Sequence, residues 1–339
     1  LKRNVLAFLS LERYAKADDL DPETVQRIAE RVPREVRLAV RPFGYYEPQV
    51  EASVEPAGGS KTDWRAKIKV SLGKPIVVEA VEVKVDGPGA QDPVFTRLEK
   101  HVGMRPGDRL SHAAYERVKG ELQRAAASHG YLDATMVRND LVVDPPNYKA
   151  SAYIELRTGE RYHFGPTEIS QDVIDENLMR RYLRYREGDD FNATELLRTQ
   201  FALDDSQYFS TVEVLPGEKD PATHTVPVLI QAKPIKRDRY SIGLGYGTDT
   251  RFRGTLGWDD RRINRKGHRA RIEIKGSSVS QLVQGYYVIP VGDPALEKFG
   301  IDLSIGRQEI ADTVTTGTIL VPGLTQVLGR WQRVLFVEA

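Results

Sequence analysis

Residues 239–339 alternate between apolar side chains and small or polar ones, and this pattern restricts the fold more than any other feature of the chain. Within 240–247 every second residue is apolar and the others are serine or glycine; the two sets are Tyr240, Ile242, Leu244, Tyr246 and Ser241, Gly243, Gly245, Gly247. A period of two residues is that of a β-strand, whose successive side chains point to opposite faces. The same period returns more weakly, five or six times, between turns. The segment therefore predicts consecutive strands with one apolar face each.

The aromatic residues of this segment concentrate at one end of the predicted strands. If each turn reverses the chain, six of them fall at the end where the first strand begins, which we name the near end: Tyr240, Trp258, Tyr286, Tyr287, Phe299 and Trp331. Membrane barrels have strands of about 9–11 residues and aromatic girdles at the lipid interfaces. A soluble β-sandwich alternates as well but has no reason to collect such a girdle. The pattern favours the N-terminal strands of a transmembrane antiparallel β-barrel.

Composition excludes several classes of protein. The 339 residues include 49 basic and 48 acidic ones, so the chain has no general attraction to nucleic acid. Because there is no cysteine, disulfide frameworks, thiol nucleophiles and cysteine-based zinc sites are excluded. No stretch approaches 18 consecutive apolar residues, which excludes a helical membrane span.

The two ends of the sequence predict a fragment of a longer protein. Residue 1 is Leu and the chain does not open with a basic start followed by an apolar stretch, so we expect that any signal peptide has been lost with the true N-terminus. The segment 331–337 has the pattern of a strand with no strand after it to pair with. An open strand edge in lipid leaves backbone groups without partners. We therefore expect further barrel strands beyond Ala339.

Residues before Arg239 contain a unit that is repeated three times. Each copy predicts strand, helix, helix, strand and strand, except that the first copy lacks its opening strand. A Gly-Tyr-like sequence ends the second helix of each copy, with Gln207 in place of glycine in the third; the residues are Gly44, Tyr45, Tyr46, then Gly130, Tyr131, Leu132, then Tyr208, Phe209. We predict domains at 1–75 (truncated at its start), 76–159 and 160–236, and barrel strands at 237–339.

The helices of these units carry apolar faces that predict packing on a sheet. The predicted buried positions are Val25, Ile28 and Val32 in the first copy, Val118, Leu122 and Ala125 in the second, and Leu197, Phe201 and Tyr208 in the third. Pro33 and Pro42 must bend or break the first helical region. Pro227 lies within a predicted strand, which is acceptable only at a sheet edge or a bulge.

Three such units that lead directly into an amphipathic strand resemble the POTRA-containing outer-membrane insertase superfamily, which includes BamA and TamA. The number of units and the sequence Gly44-Tyr45-Tyr46-Glu47-Pro48 look most like the TamA branch, the outer-membrane subunit of the translocation and assembly module. Trp331-Gln332-Arg333 at the start of a seventh strand is a further likeness. Gln207 and Pro227 depart from the usual pattern of the family.

The resemblance implies three tandem POTRA domains in the periplasm and a barrel in the outer membrane. It implies a protein that helps autotransporter-type and other clients to insert into or cross that membrane, with a TamB-like inner-membrane-anchored partner, outer-membrane lipid around the barrel and no nucleic acid. The first strand would form one half of a lateral seam through Tyr240, Ile242, Gly243, Leu244, Gly245, Tyr246 and Gly247. Two alternatives stay open: a two-partner secretion pore that exports one substrate, and a soluble periplasmic POTRA scaffold.

The remaining patterns predict no catalytic, cofactor-binding or metal-binding residue. Gly243-x-Gly245-x-Gly247 lies within a strand and lacks the helix that a dinucleotide loop needs. The basic run from Arg261 to Arg271 lacks interleaved aromatic residues, so membrane-surface phosphates or plain solvation explain it better than nucleic acid. The six histidines show no paired metal spacing, and there is no G-x-S-x-G sequence. An enzyme is the least expected class.

Overall fold

The computed structural model describes residues 1–14, 17, 20–57, 64–248, 251–310 and 313–339. The chain divides into two compact units, Leu1–Arg161 and Tyr162–Ala339. The first unit holds two α/β domains, and the second holds a third α/β domain and a seven-stranded sheet. None of the described helices combines the length and the apolar character needed to cross a membrane.

The first domain consists of short helices and an antiparallel strand pair. Its elements are α1 (Lys2–Phe8), α2 (Ser10–Arg13), α3 (Pro22–Ala29), α4 (Val32–Val40), β1 (Gln49–Pro56) and β2 (Trp64–Ser71). Pro33 lies in the first turn of α4, and Pro42 lies in the first turn of the 3-10 helix that follows it. A proline tolerates these positions because the N–H it lacks would have no helical partner there. The predicted break at the two prolines is confirmed.

The second domain contains a three-stranded sheet and two helices. Its elements are β3 (Val77–Asp86), α5 (Pro93–Lys100), α6 (His112–Ser128), β4 (Thr135–Asp144) and β5 (Lys149–Arg157). The central strand β5 is parallel to β3 and antiparallel to β4. Val118 and Leu122 of α6 are buried as predicted, and Ala125 packs at the margin of the same core. Burial of this apolar face holds the helix on the sheet.

The third domain repeats this arrangement. Its elements are β6 (His163–Ser170), α7 (Glu176–Arg180), α8 (Ala193–Asp205), β7 (Phe209–Pro216) and β8 (Thr225–Pro234), with β8 central, parallel to β6 and antiparallel to β7. Pro227 therefore occupies a central strand. Its neighbour β6 bulges at this level, between Phe164 and Thr167. The proline is tolerated because the ladder is already interrupted there, so the bulge alternative of the prediction is the correct one.

Helix α8 buries a different face from the predicted one. Leu197 and Phe201 were expected on the sheet but are 55% and 68% exposed. The buried positions of this helix are Leu196, Thr199 and Leu203. Thr199 is stable in this position because its hydroxyl accepts a hydrogen bond from the backbone N–H of Arg184 at 3.0 Å. The prediction for Leu197 and Phe201 is wrong.

The seven-stranded sheet is an antiparallel meander. Its strands are β9 (Asp238–Gly247), β10 (Arg251–Asp260), β11 (Arg269–Ser277), β12 (Ser280–Pro290), β13 (Glu297–Ile310), β14 (Thr313–Leu328) and β15 (Trp331–Phe336). Each strand pairs with the next one in sequence, so β9 and β15 are its edges. The register places Ile242, Leu256 and Ile274 side by side on one face, which we name the apolar face. We name the opposite face, with Asp259 and Arg271, the polar face.

Candidate functional site

The edge strand β9 presents its apolar residues to the surroundings. Tyr240, Ile242, Leu244 and Tyr246 are 74%, 77%, 90% and 65% exposed. On the polar face, four of the five cross-strand pairs with β10 contain a glycine; these are Ser241 with Gly257, Gly243 with Thr255, Gly245 with Arg253 and Gly247 with Arg251, whereas the fifth pairs Arg239 with Asp259. Cross-strand side-chain contacts are what stabilise neighbouring strands beyond their backbone bonds. The strand is thus held to β10 mainly by its backbone and by its apolar face.

Five of the six predicted near-end aromatic residues lie on the apolar face. Tyr240 is opposite Trp258, and the set continues across the sheet with Tyr287, Phe299 and Trp331. Tyr286 differs, because it pairs with Arg271 and Asp302 on the polar face. Its side chain is therefore not part of the girdle. At the far end Tyr246 and Phe252 form a T-shaped contact with ring centres 5.2 Å apart.

The beginning of β9 is fixed by an ion pair between a half-exposed arginine and a buried aspartate. The Arg237 guanidinium donates to both carboxylate oxygens of Asp260, with Nε–Oδ1 at 3.0 Å and Nη2–Oδ2 at 2.6 Å. Asp260 is 1% exposed and also accepts from the backbone N–H of Arg262 at 2.9 Å. Bidentate arginine–carboxylate contacts of this kind fix geometry as well as adding energy. The near end of β9 is consequently anchored to the turn that follows β10.

The first helix-end motif forms a joint between the first and second domains. Gly44 has φ of +84°, and a Cβ there would lie 2.6 Å from the backbone oxygen of Leu110. The Arg109 guanidinium lies over the Tyr45 ring at 5.6 Å and donates to its hydroxyl at 3.2 Å. Only glycine allows both the left-handed backbone and this close approach. The motif therefore joins two domains in addition to ending a helix.

A tyrosine–histidine contact completes the first joint. The Tyr46 hydroxyl and the His112 Nε2 are 2.8 Å apart. Burial lowers the pKa of His112, because desolvation disfavours the charged ring, while the nearby Glu116 carboxylate opposes this effect. The neutral imidazole is the form that the joint favours.

The second motif follows the same plan. Gly130 has φ of +87°, and Tyr131 is buried against Phe95 with ring centres 5.3 Å apart. The Tyr131 hydroxyl donates to Asp92 at 3.1 Å, and the Arg161 guanidinium lies 5.6 Å from its ring centre. The predicted motif residue Leu132 is half-buried beside them. A tyrosine after a left-handed residue, covered by a later arginine, thus recurs in the first two motifs.

In the third motif the tyrosine docks onto the seven-stranded sheet. The Tyr208 hydroxyl donates to the backbone oxygen of Gly267, in the turn between β10 and β11, at 2.6 Å. Phe209 and Tyr182 pack edge-on against the Tyr208 ring, with ring centres 6.3 and 6.5 Å away. Burial raises the pKa of both Tyr182 and Tyr208, so both hydroxyls stay protonated donors. Gly267 is required there, since a Cβ would lie 2.6 Å from the Tyr208 hydroxyl oxygen.

Gln207 adopts the left-handed conformation that glycine has in the other two motifs. Its φ is +63°, a region that costs a non-glycine residue roughly 1–3 kcal/mol unless its surroundings compensate. The compensation is visible, because the Gln207 side-chain oxygen accepts a hydrogen bond from the guanidinium of Arg269 on β11. The sequence departure at this position therefore adds a contact between the third domain and the sheet.

Two near-end turns of the sheet contact the region around α7. In the turn between β10 and β11, Arg265 donates to the Asp175 carboxylate at 3.2 Å and accepts from the Asp175 N–H at 2.8 Å through its backbone oxygen. In the turn between β12 and β13, Arg184 forms a bidentate pair with Asp293, and Arg181 donates to the backbone oxygen of Gly292 at 2.8 Å. The third domain and the near end of the sheet are therefore packed together through both turns.

These contacts correct the interpretation of the basic run 261–271. Sequence reasoning assigned it to membrane-surface phosphates or solvation, but Arg265 and Arg269 bind Asp175 and Gln207 of the third domain. His268 lies within hydrogen-bond distance of the Tyr287 hydroxyl, at 2.8 Å. The partners are too far away in sequence for local spacing to reveal them.

Comparisons with known proteins agree with this architecture. Residues 1–72 match a family model described as POTRA domain TamA domain 1. The outer membrane protein assembly factor BamA of Buchnera aphidicola subsp. Acyrthosiphon pisum is 21% identical over 178 residues, which cover 51% of this chain and 28% of that protein. The chain thus spans less than a third of this relative's length.

One solved structure gives the same result for the fold, and a second one is a weaker likeness. The crystal structure of BamA from Haemophilus ducreyi lacking POTRA domains 1–3 has a TM-score of 0.60 at 13% identity, covering 74% of this chain and 47% of that one. CdiB from Acinetobacter baumannii has a TM-score of 0.48 at 12% identity, covering 78% and 56%. The predicted fold class, POTRA domains followed by the first strands of an antiparallel barrel, is confirmed. The chain is thus similar to a TamA-type POTRA domain in its first 72 residues and to BamA in sequence and fold.

Proposed function

We propose that this chain is part of a TamA-type outer-membrane protein that assists the insertion or secretion of autotransporter-type clients. In this proposal the seven-stranded sheet lies in the outer membrane, the three POTRA-type domains lie in the periplasm, and a TamB-like protein anchored in the inner membrane is the partner. The matched POTRA domain and the assembly function named for BamA support it. The clients are unfolded outer-membrane proteins.

The observation that carries the proposal is the exposure of the apolar face at β9. Leu244 is 90% exposed and Ile242 is 77% exposed. A continuous apolar surface of this kind is unstable in water and stable in hydrocarbon. The polar face of the same strands carries Arg271, Glu273 and Lys275, as expected for strands that separate lipid from an aqueous interior.

The weak attachment of β9 supports a role in strand exchange. Since four of its five polar-face pairs with β10 contain glycine, separation of the two strands loses few side-chain contacts. The other side of β9 is an edge among the described strands, and in this proposal it is the side on which an incoming strand pairs. Backbone pairing is tolerant of sequence, which suits a factor that serves several clients.

Contacts between the third domain and the near-end turns indicate the orientation. If that domain is periplasmic, the near end faces the periplasm, because Tyr208 and Arg184 bind the turns at this end. The near-end aromatic residues then lie at the periplasmic interface of the membrane. An unfolded client would reach β9 from the same side as the POTRA-type domains.

Cysteine cross-linking tests the proposal directly, because the natural chain has no cysteine. We expect Ser241→Cys on β9 to form disulfides with single-cysteine variants of an autotransporter client during its assembly in cells. Ser304→Cys on β13, in the interior of the sheet, is the matched control and should form none. Both substitutions replace an oxygen with a sulfur, so folding is little changed.

Three outcomes would contradict the proposal. Equal adducts at positions 241 and 304 would indicate collision and not pairing. No client adducts at position 241, combined with adducts to one secreted substrate, would favour a secretion pore. A full-length protein that stays in the soluble fraction and shows no heat-modifiable mobility on gels would favour a periplasmic scaffold.

A further inference from the structure

A basic cavity lies at the near end of the polar face, bordered by the third domain. Its volume is about 290 Å³. The polar and charged lining residues are Gln207, Arg239, Asp259, Arg269, Arg271, Tyr286 and Lys298. Four of these side chains are cations and one is a carboxylate, so the lining has an excess of positive charge.

The single carboxylate does not neutralise the cations. Asp259 stands directly opposite Arg239 on one side and Arg271 on the other in the strand register. Among the described residues, however, no ion pair within 4.0 Å involves Asp259, Arg239 or Lys298. Arg271 shares the Glu273 carboxylate with Lys275, both at 3.1 Å. Neighbouring cations without counter-charges raise the local potential and attract anions.

Arg269 links the cavity to the third domain. Its guanidinium donates to the Gln207 side-chain oxygen, a neutral acceptor that leaves its charge uncompensated. An arginine has five N–H donors in a planar fork, so it can bind a carboxylate in addition to Gln207. The cavity thus offers the bidentate geometry that carboxylates accept best.

We propose that this cavity binds the carboxylates of an acidic, extended polypeptide segment, and specifically of a client on its way to the edge strand β9. This inference rests on the proposed function, since it names the chemical class of client segment that would be held there. A polypeptide is favoured over a lipid headgroup because the cavity opens on the polar face, on the opposite side of the sheet from Leu244 and Ile242. Arg239 belongs to both the cavity and β9, so the bound segment would lie beside the edge strand.

The test measures binding of a fluorescent hexaglutamate peptide to the purified full chain in detergent at low salt, by anisotropy. The variant is the double substitution Arg239→Gln/Lys298→Gln, which removes two cavity cations that have no ion pair among the described residues. We expect its affinity for hexaglutamate to fall about fivefold, the effect of losing two exposed ion pairs. Lys275→Gln is the matched control, on the same face but outside the cavity, and should stay within about twofold.

Further binding experiments distinguish an acidic peptide from free phosphate and from lipid headgroups as the bound anion. Hexalysine should not bind, and inorganic phosphate should compete with hexaglutamate only weakly. The proposal is overturned if phosphate binds as tightly as the peptide, if only phosphatidylglycerol vesicles bind, if the double variant binds hexaglutamate as well as the natural chain, or if Lys275→Gln weakens binding equally. Because this assay contains no client assembly, loss of peptide binding with normal cross-links at position 241 would reject the cavity alone, and the reverse result would reject the assembly function alone.

Discussion

The second α/β domain and the seven-stranded sheet place their apolar side chains in opposite environments. Leu122 and Phe95 of the domain are 0% exposed, whereas Ile242 and Leu244 of the sheet are 77% and 90% exposed. Both regions have a regular apolar period, 3.6 residues in the helix and two in the strands. Periodicity therefore identifies the apolar face, and the structure shows whether the protein itself covers it. In the domain it does, and at β9 it does not.

The largest expected effect is in the second domain, which covers its own apolar side chains. Leu122→Ala should lower the free energy of unfolding of the second domain by about 2–5 kcal/mol, because it leaves a cavity in a closed core. Hydrogen exchange of the α6 amides in increasing denaturant measures this. Leu197→Ala, on the exposed face of α8, is the control and should cost about 0.5 kcal/mol or less. Equal losses would mean that Leu197 is covered as well, and the contrast between faces would disappear.

A charge introduced on the exposed apolar face of β9 tests the other half of the comparison. Leu244→Arg should destabilise insertion into a lipid bilayer by about 2–4 kcal/mol if the residue lies near the membrane midplane. Urea titrations of the folded protein in vesicles, followed by heat-modifiable mobility, measure the difference. Thr255→Arg on the polar face of β10 is the matched control and should change little. If both arginines cost the same, the apolar face does not contact hydrocarbon.

Two glycines test the border between the third α/β domain and the sheet. Gly267→Ala and Gly329→Ala both place a methyl group at positive φ, +77° and +63°. At position 267 the Cβ would also lie 2.5 Å from Leu178 Cδ2, whereas nothing lies within 4 Å at position 329. We expect Gly267→Ala to cost about 1–2 kcal/mol more than Gly329→Ala.

Hydrogen exchange of the Asp175–Arg180 amides reports whether the third domain stays docked on the turn. These amides should exchange faster in Gly267→Ala and at the natural rate in Gly329→Ala. Unchanged exchange in both variants would show that the turn is not held by the third domain.

The smallest effect concerns pH and belongs to the α/β domains. The pKa of His112 is lowered below its ordinary value near 6.5 by burial. The unfolded state therefore binds the proton first as pH falls, so the stability of the first joint is complete above about pH 6.5 and declines as pH falls through the lowered pKa. Hydrogen exchange of residues 41–46 at about pH 7.5 and about pH 5.5 measures this. His112→Gln should remove the difference; if the pH dependence persists, another group is responsible.

Sequence patterns predict most of the fold because strands and caps are local. The alternation at 240–247 predicted β9, and Pro33 and Pro42 predicted the break before and after α4. The buried face of α8 was not predictable, because Leu196 and Leu197 are both apolar and adjacent. The face that is buried includes Thr199, whose hydroxyl accepts a hydrogen bond from the backbone N–H of Arg184, and this contact is distant in sequence. A helix with apolar residues on two faces does not by itself determine which face is buried.

The helix-end motifs show that sequence also predicts local backbone conformation better than distant contacts. The left-handed residues at 44 and 130 could be anticipated from glycine before tyrosine. Their partners could not, since Arg109 and Arg161 lie in later segments and contact the tyrosines only after folding. The cavity around Arg239 and Arg269 likewise depends on the strand register, which pairs residues that are far apart along the chain.

The Arg237–Asp260 pair would keep β9 in register with β10 during any movement of the strand. A strand that is fastened at one end can swing away from its neighbour but cannot slide along it. Sliding by one residue would move Leu244 to the polar face and Gly243 to the apolar face. A swinging strand returns to its original alignment each time, so repeated cycles of opening would leave the sheet without accumulated errors.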